Sequence, residues 1–166
     1  MVKKLTWFLV LFSFLACSNK YQEIPLDELP KDLKSIADET ANHIVKFCDD
    51  PEAFEKFKLR SSLKSFLHLK TGKHLLVCYI YENEVNEIAI DSLYKVHRLK
   101  ANVKRFKYKL TIVSDMYDRM EIHVDLNSDK NIADYKIYGK RKGESEWISI
   151  IDELNLEVMK AVNRNK

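Results

Sequence analysis

The stretch RMEIHVDL places Glu121, His123 and Asp125 at alternate positions. On an extended strand these three side chains leave from one face, which sets an imidazole between two carboxylates. A carboxylate can fix the tautomer of a histidine and leave its other nitrogen free to take a proton, which is half of a hydrolytic relay. The other half needs a nucleophile or a metal, and no H-E-x-x-H, G-x-S-x-G or cysteine–histidine signature supplies one. His43, His68, His74 and His97 join no such motif either, and His43 lies beside an apolar helical stripe as a packing residue.

Two further groupings have the right residue types. DLNSDKN, Asp125 to Asn131, offers oxygen side chains at the first, third, fifth and seventh positions of a calcium loop. Lys130 stands in place of the glycine that makes the sharp turn, and Lys136 in place of the glutamate that closes the sphere. The stretch is therefore a hairpin turn whose Asn and Asp residues bond their own backbone, and no metal or cofactor is expected. Residues 92–114 carry Lys95, Arg98, Lys100, Lys104, Arg105, Lys107 and Lys109 without an acid. Interleaved Phe106 and Tyr108 would stack on nucleic-acid bases only if they shared the basic face, and alternation sends them to the opposite one. The expectation is a solvated polar face in which Lys107 opposes Asp125 and Lys109 opposes His123, with Glu121 diagonal. An anionic ligand is the remaining option for it, and nucleic acid is not expected as a partner.

The elements that must hold these residues follow from the spacing of apolar positions. Leu33, Ile36, Ala37, Thr40, Ala41, Ile44, Phe47 and Cys48 form one helical stripe that DDP ends. Asp50 then caps a second helix with Pro51 at its first position, running through Phe54, Phe57, Phe66 and Leu67 to Lys70 and Gly72. LLVCYIY (75–81) is short and rich in β-branched and aromatic residues, which predicts a buried strand. Residues 83–99 suit either period, and strand is preferred. VKRFKYKLTIV (103–113) and RMEIHVDL (119–126) alternate cleanly, so both are half-buried strands joined by SDMYD. Matching their apolar faces sets Ile112 opposite Met120, Leu110 opposite Ile122 and Tyr108 opposite Val124. A further strand over 132–139 turns Ala133, Tyr135 and Ile137 to one side. A last helix gathers Trp147, Ile150, Ile151, Leu154, Val158 and Val162. Two helices, four or five strands and a closing helix make an α+β domain, with helices on one face of an antiparallel sheet. The outline is similar to cystatin-like and NTF2-like domains, and no motif ties the chain to either.

The first residues give an address. Lys3 and Lys4 precede an uncharged core, Leu5 to Leu15, that as a helix would rise roughly 16 Å, about half a hydrocarbon layer. Phe14-Leu15-Ala16-Cys17 follows, then polar Ser18, Asn19 and Lys20. This arrangement resembles a bacterial lipoprotein signal, with phenylalanine in the place where leucine is usual. The resemblance implies cleavage before Cys17, a diacylglycerol on its sulfur, and a membrane hold through acyl chains. Residues 1–16 are then the signal peptide, 17–30 a tether and 31–166 a single domain. Losing two lysines lowers the net charge from +3 to +1, so overall charge selects no polyanion as partner. Cys48 and Cys78 remain, either as a disulfide or as two buried thiols.

Together these features lead to the expectation of a non-enzymatic binding or accessory module on the bacterial cell envelope, at the outer membrane, for an envelope protein or a small ligand. The alternatives are a small hydrolase centred on His123 and Asp125, and an inhibitor-like domain that blocks another protein.

Overall fold

The computed structural model describes residues 21–62, 73–100 and 102–153. The fold is α+β. Strands β1 (Gln22–Ile24), β2 (Glu87–Lys100), β3 (Val103–Val113), β4 (Tyr117–Leu126), β5 (Ile132–Arg141) and β6 (Ile148–Ser149) form one antiparallel sheet in sequential order. Six strands stand where four or five were expected, because two very short edge strands complete the sheet. Helices α1 (Lys31–Lys46), α2 (Pro51–Arg60) and α3 (Lys73–Glu84) lie between β1 and β2 in the chain.

The first helix forms as its stripe predicts: Leu33, Ala37, Thr40, Ala41 and Ile44 are buried, with Val45 beside them. Asp50 caps α2 by accepting from the N–H groups of Glu52 (2.9 Å) and Ala53 (3.3 Å), and Pro51 opens the helix. Phe57 and Phe47 meet Tyr135 of β5 edge-on, with ring centroids 5.4 and 6.3 Å away, and this wedge docks the helices onto the sheet. The second helix ends at Arg60; Phe66, Leu67, His68, Lys70 and Gly72 lie outside the described residues.

LLVCYIY is not a strand but the body of α3. Val77, Ile80 and Tyr81 are buried, a spacing of three and four that a helix turns to one side, and Val85 just past its end is buried as well. Exposed Leu75 and Tyr79 on the opposite side disguise that period. Cys78 is joined to Cys48, Cα atoms 5.3 Å apart, which fastens α3 beyond the end of α1. Residues 87–100 are strand, as preferred.

The β3–β4 register differs from the expected one by two residues. Leu110 faces Met120, Tyr108 faces Ile122 and Phe106 faces Val124, while Ile112 pairs with Ile88 of β2. A two-residue shift keeps every side chain on its face, so the alternation holds and Phe106, Tyr108, Leu110, Met120, Ile122 and Val124 are all buried. The cause is the turn. Ser114 Oγ accepts from the N–H groups of Met116 and Tyr117 and donates to the Glu84 carbonyl, so β4 starts at Tyr117 and the two strands splay. On β5 an irregularity at Asp125/Leu126 brings Ile132, not Ala133, to the core side.

The chain end also differs. Trp147 is exposed, Ile148 and Ser149 are strand, and helix begins at 150, with Ile150 and Ile151 buried. Leu154, Val158 and Val162 lie outside the described residues. The segment read as a tether is docked from β1 onward, and Leu29 is buried.

Candidate functional site

The face of the sheet turned away from α1 carries the charged row expected of it, but with different partners. Across β3 and β4, Arg105 meets Asp125, Lys107 meets His123 and Lys109 meets Glu121. Arg105 therefore replaces Lys107 as the partner of Asp125, a direct result of the two-residue shift. Nε and Nη2 of Arg105 each donate to one Asp125 oxygen at 2.7 Å, a two-pronged pairing that holds the guanidinium charged. The face is also drier than expected. Asp125 is 5% exposed and His123 7%.

His123 rests against the Tyr138 ring of β5, centroids 4.5 Å apart, and its Nε2 lies 3.3 Å from Glu121 Oε2. The same Glu121 oxygen accepts from the Tyr94 hydroxyl at 2.6 Å, and Lys109 Nζ sits 5.4 Å over the Tyr94 ring. Burial, then the nearby Lys107 and Arg105 cations, push the imidazole down to a pKa of about 3, so it is neutral. Its Nδ1 is buried without a hydrogen-bond partner among the described residues. Burial also pushes the Lys107 ammonium down.

Chemically, these contacts do not assemble a relay. Asp125 is committed to Arg105 rather than orienting His123, and a base protonated only near pH 3 is weak at neutral pH. A cleft of about 340 Å³ reaches Lys109 and Glu121 beside Trp147 but stops short of His123 and Asp125. The sequence brought Lys107, Lys109, Glu121, His123 and Asp125 to one face, and the structure does place them together. Tyr94 and Tyr138 were missed. Tyr94 reaches Glu121 because β2 is irregular between Leu93 and Lys95, and no residue pattern marks that break.

The other candidates separate cleanly. In the Asp125–Asn131 stretch, Asn127 Oδ1 accepts from the N–H groups of Asp129 (3.0 Å) and Asn131 (2.9 Å), the self-bonded turn that was expected. Lys130 takes a φ of 61° there, a left-handed backbone a glycine would adopt more easily. No group of three or more His, Cys, Asp or Glu residues is placed to hold a metal among the described residues. His43 is half-buried on α1, and His97 sits on β2 opposite Arg105. Cys17 lies outside the described residues. Among them, no helix is long and apolar enough to cross a membrane. Set against protein-family models, curated proteins and solved structures, the chain matches none.

Proposed function

We propose that this chain is a lipid-anchored, non-enzymatic module of the bacterial cell envelope, held at a membrane through Cys17 and serving as a binding or accessory domain. The observation that carries the reading is the Cys48–Cys78 disulfide. Such bonds persist in oxidising compartments and are rare in the cytosol, which agrees with export by the first sixteen residues. The outer membrane is the proposed site, with an envelope protein or a small ligand as partner. Against the hydrolase alternative stand the internal pairing of Arg105 with Asp125 and the neutral, buried His123. Against an inhibitor acting through an open sheet edge stands β2, whose length beyond β1 is broken by irregular pairing at Ile90/Ser92 and Leu93/Lys95. Growth with a labelled fatty acid tests the anchor. The wild-type chain should take up label, and Cys17→Ala should take up none and persist as the larger precursor. Equal labelling of the two would sink the reading.

A further inference from the structure

At one end of the sheet, Gln22, Arg98, Lys104 and Leu126 follow one another as cross-strand partners on β1 to β4. Two residues back along each inner strand, Val96, Phe106 and Val124 are fully buried under the helices. Arg98 and Lys104 thus continue the core face past the point where apolar residues fill it. They line a cleft of about 480 Å³, closed by Asp32 and Leu33 of α1 and by the Asn127–Lys130 turn. Lys130 is taken by Asp32 at 2.6 Å. Arg98 and Lys104 have no carboxylate partner among the described residues, and Asn102 and Asn127 add neutral amide donors around them, whereas the Ser128 hydroxyl donates to Asp129.

We propose that this cleft seats the phosphate of an anionic phospholipid headgroup; the proposal rests on anchorage at Cys17. Two uncompensated cations with amide donors suit phosphate oxygens. The source follows from chain length. Gln22 is the fifth residue after Cys17, so it cannot lie more than about 18 Å from the acylated sulfur's own residue. Arg98 pairs directly with Gln22. An anchored chain therefore brings the cleft to headgroup depth, where basic groups attract anionic lipid.

The test uses the full chain in phosphatidylcholine micelles, with and without phosphatidylglycerol, and reads the melting temperature. A ligand that binds only the folded state raises it. Phosphatidylglycerol should raise it by several degrees, and Arg98→Gln/Lys104→Gln should abolish the rise while Arg98→Lys/Lys104→Arg keeps it. An equal rise with inorganic phosphate at matched concentration would overturn the lipid source. No rise with phosphatidylglycerol, or a rise retained by the glutamine variant, would overturn the site. Running Cys17→Ala in parallel separates the two ideas. A rise in that variant supports the cleft even if the wild-type chain takes up no fatty acid, whereas a labelled chain without a rise sinks the cleft alone.

Discussion

Arg105 clamps Asp125 from directly across the β3–β4 ladder, both prongs at 2.7 Å, on a sheet face that no described helix covers. Asp125 is nonetheless buried, so the pair is closer to an interior ion pair than to a surface one. Removing one partner of a buried pair typically costs about 3–5 kcal/mol, because the other charge is stranded. Arg105→Ala should destabilise the fold by that order. Lys107→Ala, whose cross-strand partners are a neutral imidazole and the cation Lys95, should cost under about 1 kcal/mol. Denaturant melts of the two variants check the order, and a larger effect at Lys107 would contradict the observed register.

His123 sets a pH dependence whose sign is fixed. Its folded pKa of about 3 lies below the ordinary histidine value, so between those limits the unfolded chain binds a proton that the folded chain refuses. Stability is then complete above about pH 6.5 and declines as pH falls toward 3, by on the order of 1 kcal/mol per unit. His43 and His97 are lowered as well, first by burial, and add the same slope in both proteins compared. His123→Gln should flatten the wild-type slope between pH 6 and pH 4. An unchanged slope would mean that the imidazole is hydrated and ordinary.

The disulfide spans thirty residues of chain. Closing a loop of that length restricts the unfolded state by an amount worth about 3–4 kcal/mol in the chain-entropy account. Cys48→Ala/Cys78→Ala, or the reduced wild type, should melt well below the oxidised protein. Equal melting temperatures would show that the two thiols do not pair in solution.

Gly139 packs against an aromatic ring. A methyl added there would sit 2.6 Å from Tyr117 Cδ1 and 3.0 Å from Ile150 Cδ1. The Tyr117 hydroxyl donates to Glu84 at 3.1 Å, so the ring cannot withdraw without loosening the end of α3. Gly139→Ala should cost about 1–3 kcal/mol, as overpacking does. Adding Tyr117→Leu should recover part of that loss, and strictly additive costs would show that the two positions are uncoupled.

Alternation was legible wherever one face is dry and the other polar. Phe106, Tyr108, Ile122 and Val124 all turned inward as their spacing required. Parity has a blind spot, however: a two-residue shift leaves it intact, so the exact opposition depended on the Ser114 turn, whose contact with Glu84 at the end of α3, thirty positions away, no local pattern marks. The α3 helix was hidden for a related reason. Its apolar residues occupy both sides, and tertiary contacts at Val77, Ile80 and Tyr81 decide the period that composition leaves open. At the polar face the residue types were evident, but their burial was not, because Tyr138 and Arg105 come from neighbouring strands.

The shortness of β1 has a mechanical consequence. If the chain is anchored through Cys17 as proposed, a pull between membrane and domain reaches the described fold at its first strand, β1, three residues long at the sheet edge. Three residues of pairing give little resistance to such a load. Peeling residues 22–29 would lengthen the leash by roughly 25 Å while most of the apolar interior stays closed. The domain would yield to tension first by paying out chain and only later by unfolding.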